Sequence, residues 1–144
     1  MADRAEVIAT ILQEVADVAR ELAGGRSRPF GEVRLTRNQL DALFILAHSS
    51  RPVTAGALAA RLGLTPGAVT QLVAGLREHG LAETVVDTDD GRVRVVRLTG
   101  PARSQVGEFE RDAVARLSPR FDGLTTAQLE RLAGLLARAE THER

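Results

Sequence analysis

Apolar residues recur at three- and four-residue steps along the first segment of the chain. Ile8, Ile11, Leu12, Val15, Val18, Ala19 and Leu22 fall on one face, which predicts an amphipathic helix over residues 3–23. Gly24-Gly25 supplies its stop. Four later helix starts share one design. Leu35-Thr36-Arg37-Asn38-Gln39-Leu40 reads as a capping box, with Thr at the cap, Gln three residues on, and Leu35 and Leu40 as a hydrophobic staple. Leu124-Thr125-Thr126-Ala127-Gln128-Leu129 repeats it. Val53-Thr54 before Leu58, and Leu64-Thr65 before Val69, keep the Thr cap and the staple without the Gln. Pro66 takes the first helical position that proline favours, and the helix it opens runs to about His79 and stops at Gly80. The pattern then changes period. Residues 82–86 and 93–98 are β-branched runs around an Asp/Gly-rich turn, which predicts a hairpin. A helix over 101–117, a break at Ser118-Pro119 and a last helix over 126–140 complete the order α, α, α, α, β, β, α, α.

The informative stretch is Leu58-Ala59-Ala60-Arg61-Leu62-Gly63-Leu64-Thr65-Pro66-Gly67-Ala68-Val69. Two short helices that meet at a sharp angle need a small residue where they cross (Ala59), a left-handed backbone at the turn (Gly63) and an apolar plug at the junction (Val69). All three stand at helix-turn-helix spacing. Any tightly packed αα corner wants the same residues, so the motif alone leaves a purely structural reading open.

The hairpin adds a second signal. Gly80-Leu81-Ala82-Glu83, then Asp87-Thr88-Asp89-Asp90-Gly91-Arg92, then Val93-Arg94-Val95-Val96-Arg97-Leu98-Thr99 resembles the wing of the MarR family of winged helix-turn-helix transcription regulators. In that family a Gly-Leu step leads into a hairpin whose tip reads Asp, Arg, Arg and which closes on Leu-Thr. The length from Asp87 to Leu98-Thr99 matches without a gap, and Asp90 and Arg92 are kept; Gly91 stands where the first Arg of the pair is usual. The resemblance spans nearly the whole chain. It implies a single domain over 1–144, mainly α with a small β-hairpin wing: a winged helix-turn-helix over 36–99, with 1–25 and 100–144 forming a helical dimerisation lobe.

On the helix over 66–79, Val69, Leu72, Val73 and Leu76 repeat on the inward face, which turns Gly67, Thr70, Gln71, Ala74 and Arg77 outward. The N-terminal part of this outward face is expected to enter the major groove. There Gln71 suits a bidentate pair with adenine, Ala68 a thymine methyl, and Thr65 and Thr70 phosphate oxygens. Pro66 completes the surface, and no arginine is present to read guanine. Gly67 and Gly75 each weaken a helix by up to ~1 kcal/mol relative to Ala, which points to close backbone approach as their reason. At the wing tip, Arg92 is expected in the minor groove, whose narrow A/T-rich tracts attract a guanidinium, with Asp90 holding that guanidinium in orientation. Arg94 and Arg97 are phosphate candidates. The bland reading is that Thr70 and Gln71 merely solvate a helix face. Asp87-Thr88-Asp89-Asp90-Gly91 also hints at a calcium loop, but Gly91 and Leu98 stand where carboxylates are required.

The first helix and the last two carry more apolar surface than one small lobe covers. Ile8, Ile11, Leu12 and Val15, with Leu117, Leu132, Leu135 and Leu136, are expected to pack across a two-fold interface. A purely intramolecular core is the competing reading, and the resemblance favours the dimer. A two-fold dimer implies a pseudo-palindromic operator with half-sites about one helical turn apart. The resemblance further implies a small aromatic or phenolic effector bound between the two lobes. Phe30, Phe44, His48 and Phe109 are the residues that would line such a cleft, although a lone Phe is more often core and a His near a helix end more often a cap.

Composition narrows the rest. A chain of 144 residues, 44% hydrophobic and 26% charged, fits one compact globular domain. Net charge is zero, and all 19 basic residues are Arg with no Lys, beside abundant Ala and Gly; this reflects a GC-rich genome more than a nucleic-acid signal. The planar, bidentate guanidinium nevertheless suits phosphate better than an ammonium does. The lack of Cys excludes disulfides, thiolate metal sites and cysteine redox sensing. His48, His79 and His142 form no zinc constellation, so no metal or cofactor is expected. No apolar stretch is long enough to span a bilayer, and the charged start MADRAEVIAT does not suit a secretory peptide, so a soluble cytoplasmic protein without a membrane partner is expected. An enzyme is not expected, for want of a phosphate-cradling Gly loop, a nucleophile elbow or a carboxylate pair with shared purpose. The expected function is that of a sequence-specific regulator, a repressor that binds double-stranded DNA as a homodimer. The alternative, kept open by the neutral charge and Gly91, is a winged-helix module for protein contacts that has lost DNA binding.

Overall fold

The computed structural model describes residues 1–24 and 30–139. Six α-helices, one 3-10 turn and a two-stranded hairpin follow in the expected order: α1 (Arg4–Ala23), α2 (Arg37–His48), α3 (Ala55–Leu62), α4 (Pro66–Glu78), β1 (Ala82–Val86), β2 (Arg94–Leu98), α5 (Gly100–Leu117), the 3-10 turn Ser118–Phe121 and α6 (Thr126–Ala139). Gly25, half of the expected first stop, and Glu140, the expected last helical residue, lie outside the described residues.

Side-chain caps set the helix starts. Thr36 Oγ1 accepts from the Gln39 N–H at 3.2 Å while Gln39 Oε1 accepts from the Thr36 N–H at 2.9 Å. Thr125 and Gln128 make the same exchange at 3.3 and 2.8 Å. Thr54 and Thr65 accept from Ala57 N and Ala68 N, so each short helix begins with an otherwise orphaned N–H satisfied, worth about 1 kcal/mol apiece. Glycine ends two of them. Gly63, at φ 64°, lets the Leu64 N–H reach the Ala59 carbonyl at 3.0 Å, and Gly80, at φ 67°, lets Leu81 N–H reach Leu76 O at 2.9 Å.

The chain divides into two compact units, residues 1–25 with 112–144, and residues 26–111. The expected boundary at 99/100 falls instead within α5, because Ala102 and Val106 are buried in the same core as the winged segment. In the 26–111 unit that core is built on Leu43, Leu58, Val69, Leu76 and Val106, all fully buried. β1 and β2 pair antiparallel from Ala82↔Leu98 to Val86↔Arg94. Val53 adds a third, minimal strand: it bridges to Val96, whose N–H donates to the Val53 carbonyl at 2.8 Å. The hydrophobic pattern gives no sign of this strand. In the other unit neither α1 nor α6 buries a residue. Arg116 Nη2 donates to Leu22 O at 3.1 Å, and Arg120 reaches Glu14 at 3.3 Å and Glu21 at 3.2 Å, tying α1 to the last turn of α5 and to the 3-10 turn after it. No helix among the described residues is long and apolar enough to cross a membrane.

Candidate nucleic-acid interface

Helix α4 is anchored through Val69, Leu72, Val73 and Leu76, all buried. That fixes the opposite face outward: Thr65, Pro66, Gly67, Ala68, Thr70, Gln71 and Arg77 are exposed. The two threonines differ in what they still offer. Thr65 Oγ1 accepts from Ala68 N at 3.2 Å and keeps its hydroxyl hydrogen for an outside acceptor. Thr70 Oγ1 donates to Pro66 O at 2.9 Å, so its hydrogen is used inside the helix and only lone pairs remain, unlike the phosphate grip expected from sequence. The Gln71 carboxamide has no partner among the described residues, leaving one donor end and one acceptor end free.

The two α4 glycines part company. A Cβ on Gly67 would meet nothing within 4 Å, whereas one on Gly75 would stand 2.9 Å from Gln39 Nε2. The close approach at Gly75 is therefore to α2 within the same chain.

The wing turn is closed by Asp87 N–H to Val93 O at 2.8 Å and Val93 N–H to Asp90 O at 3.0 Å. Asp90 acts differently from the sequence expectation. Its Oδ1 accepts from the Arg92 backbone N–H at 3.0 Å, and no ion pair joins it to the Arg92 guanidinium. An Asp side chain two residues before a backbone N–H forms this Asx turn by local geometry, which leaves the guanidinium unheld and exposed. Gly91 has open space around its Cβ position and no positive φ.

Among the described residues, the guanidinium groups of Arg77, Arg92 and Arg94 have no ion-pair partner. Arg97 does: its Nε lies 2.6 Å from Glu83 Oε1, its directly opposite residue in the hairpin register. This pair was missed from sequence, although the antiparallel register would have placed the two side by side.

Ile8, Ile11, Leu12 and Val15 on α1 and Leu132, Leu135 and Leu136 on α6 are all exposed, Leu12 at 64%; Leu117 is half-buried. Val7, Val114 and Leu124 add exposed apolar surface in the same unit beyond the residues expected from sequence. Of the residues expected around an effector, Phe44 and Phe109 meet with ring centroids 5.6 Å apart and planes at 55°. His48 Nε2 pairs with Glu110 Oε1. Phe30 stands apart from them in role: it belongs to the hydrophobic core and is 4% exposed. No group of three or more His, Cys, Asp or Glu that could hold a metal ion occurs among the described residues.

Residues 35–93, holding α2, α3, α4 and the first part of the hairpin, match the model of the MarR family. Over 68 residues, 47% of this chain and 41% of the relative, the sequence is 32% identical to the HTH-type transcriptional repressor IacR of Pseudomonas putida. The chain spans less than half the length of the curated relatives it matches. Its fold is similar to that of a MarR family protein from Bacillus stearothermophilus, with a TM-score of 0.69 at 19% identity over 96% of each chain. It is similar as well to NadR in complex with 4-hydroxyphenylacetate, with a TM-score of 0.72 at 17% identity over 99% of this chain and 98% of that one. The chain is thus similar to the MarR family in sequence over residues 35–93, which hold the helix-turn-helix and the first strand of the wing, and similar in fold to members of that family over nearly its whole length.

Proposed function

We propose that the protein is a sequence-specific DNA-binding transcription regulator, a repressor that occupies a pseudo-palindromic operator as a homodimer in the cytoplasm. The observation that carries this reading is the outward face of α4, where the unpartnered Gln71 carboxamide stands beside Ala68 and the Thr65 hydroxyl on a helix anchored by four buried residues. In the major groove that face offers one bidentate reader of adenine, a methyl-sized apolar contact and a phosphate donor. The wing adds the unpaired Arg92 for the minor groove and Arg94 for phosphate. Base recognition through one amide pair gives modest discrimination per half-site, so the dimer doubles what a monomer lacks.

Support for the dimer comes from α1 and α6, which bury nothing within the chain while exposing Ile8, Ile11, Leu12, Val15, Leu135 and Leu136. Apolar area of that kind repays burial at about 25 cal/mol per Å², and a second copy offers the matching face by two-fold symmetry. The repressor reading draws on the similarity to IacR.

A small aromatic or phenolic effector belongs to the same proposal. NadR is seen with 4-hydroxyphenylacetate, and here the tilted Phe44–Phe109 pair next to His48 and Glu110 sets an aromatic wall beside a polar pair. A ligand that favours a DNA-incompetent arrangement releases the operator by shifting populations.

Selection of bound fragments from the source genome, followed by titration of the winning site, tests the reading. A recurrent inverted-repeat motif is the expected result. Recovery of unrelated fragments with equal affinity would remove sequence-specific recognition.

A further inference from the structure

Aspartate is followed directly by glycine at two places in the chain, Asp90-Gly91 in the wing turn and Asp122-Gly123 just after the 3-10 turn. This dipeptide carries a reactivity of its own. With no side chain on the second residue, the glycine nitrogen can close on the aspartate carboxyl carbon. All four residues are exposed, and neither glycine N–H has a hydrogen-bond partner among the described residues. The two carboxyl groups differ. Asp90 Oδ1 accepts from the Arg92 N–H at 3.0 Å, and a side chain bonded two residues ahead must lie along the Asp90-Gly91 peptide. The Asp122 carboxylate has no hydrogen-bond or ion-pair partner among the described residues, so nothing holds it over Gly123.

We propose that Asp90-Gly91 at the wing tip is a self-modification site, the preferred place in the chain where aspartate converts to isoaspartate. The Gly91 nitrogen gives up its proton and attacks the Asp90 side-chain carboxyl carbon. A C–N bond forms, a carboxyl C–O bond breaks and water leaves, giving a five-membered succinimide. Water then adds back in one of two ways. Cleavage of the new C–N bond restores aspartate. Cleavage of the original bond from the Asp90 main-chain carbonyl carbon to the Gly91 nitrogen gives isoaspartate, with the chain now running through Cβ and the former main-chain carbonyl left as a free carboxylate. One water is lost and one regained, and no oxidant, reductant or cofactor takes part. The product adds one atom to the backbone of the turn and moves the acceptor that closes on the Arg92 N–H, so the wing tip lengthens and Arg92 loses its fixed place. The chemistry stands without DNA binding; its consequence for an operator rests on the wing reading proposed above.

The test ages the full chain for weeks in warm neutral buffer, cleaves it after arginine, and locates isoaspartate by electron-transfer fragmentation in the mass spectrometer. Cleavage separates the two sites, since Asp90 falls in the peptide 78–92 and Asp122 in 121–131. Isoaspartate several-fold more abundant at Asp90 than at Asp122 is expected in the folded chain, with the two nearly equal when the free peptides are aged alone. Gly91→Ala should suppress the product at Asp90 and leave Asp122 as in wild type; a Cβ there meets nothing within 4 Å and the backbone has no positive φ, so the variant should fold. Isoaspartate at Asp122 equal to or above that at Asp90 in the folded chain, or none at Asp90 while the free peptide reacts, would overturn the site. Aged protein should also lose affinity for a selected operator, and treatment with an isoaspartyl carboxyl methyltransferase and S-adenosylmethionine should restore it. Unchanged affinity in protein rich in isoaspartate at Asp90 would overturn the effect on the wing. Fresh wild-type protein that binds no duplex at all would instead remove the DNA-binding reading, and the mass measurement would still decide the site.

Discussion

Gly75 on α4 lies against the side-chain amide of Gln39 on α2: a Cβ at Gly75 would stand 2.9 Å from Gln39 Nε2, while Oε1 of the same amide accepts from the Thr36 N–H at 2.9 Å. The cap of α2 thus limits which residue α4 can carry at position 75. Gly75→Ala should gain up to about 1 kcal/mol of helix propensity and lose a similar amount by pushing Gln39 off its cap, so it should be close to neutral. In a Gln39→Ala background the same change should stabilise by about 1 kcal/mol. Denaturant unfolding of the four proteins in the cycle measures the coupling. Equal effects in both backgrounds would show that the two residues do not meet.

Gln71→Ala should cost about 1–3 kcal/mol on the selected operator and flatten preference at one position per half-site, because it removes the free carboxamide on the α4 face. Affinity for unrelated duplex should barely change. Competition binding against a library of singly substituted operators reads both numbers. Uniform weakening across the library would reassign Gln71 to phosphate.

The Asx turn at the wing yields a contrast between two changes at one residue. Asp90→Asn keeps an acceptor for the Arg92 N–H, so it should bind DNA nearly as well as wild type, whereas Asp90→Ala should weaken binding by loosening the turn. If Asn and Ala were equally impaired, the charge of Asp90 would be what matters. At the neighbouring position Gly91→Arg should strengthen binding and steepen its salt dependence, since the site has room for a Cβ and no left-handed backbone.

Leu12→Glu and Leu135→Glu place charges on apolar surfaces that are 64% and 53% exposed within a single chain. Each should shift the protein from dimer toward monomer at micromolar concentration, as read by sedimentation velocity. A wild-type protein that already sediments as a monomer would contradict the dimer.

Much of this fold was legible because its boundaries are written locally. Thr36, Thr54, Thr65 and Thr125 cap helices that begin where their caps and staples indicated, and Gly63 and Gly80 end helices in the left-handed conformation. What escaped depended on partners far along the chain or on too few residues to show a period. Val53 joins the hairpin as a single bridging residue, too short for any alternation to appear. The reason for Gly75 is Gln39, on a different helix. At the candidate interface, helical periodicity was enough to turn Gln71 outward, but it is silent on which donor a side chain chooses. Thr70 spends its hydroxyl hydrogen on Pro66 O, and Asp90 takes a backbone N–H in preference to a guanidinium.

The most direct test of the DNA-binding proposal is the affinity of the wild-type protein and Arg92→Ala for a selected operator, measured by fluorescence anisotropy from about 50 to 200 mM salt. Log affinity should fall linearly and steeply with log salt for the wild type, and in Arg92→Ala the slope should become shallower by about one for each wing guanidinium removed from the duplex. A wild-type affinity that is weak and indifferent to salt, unchanged by Arg92→Ala, would contradict DNA binding and leave the winged helix as a surface for protein contacts.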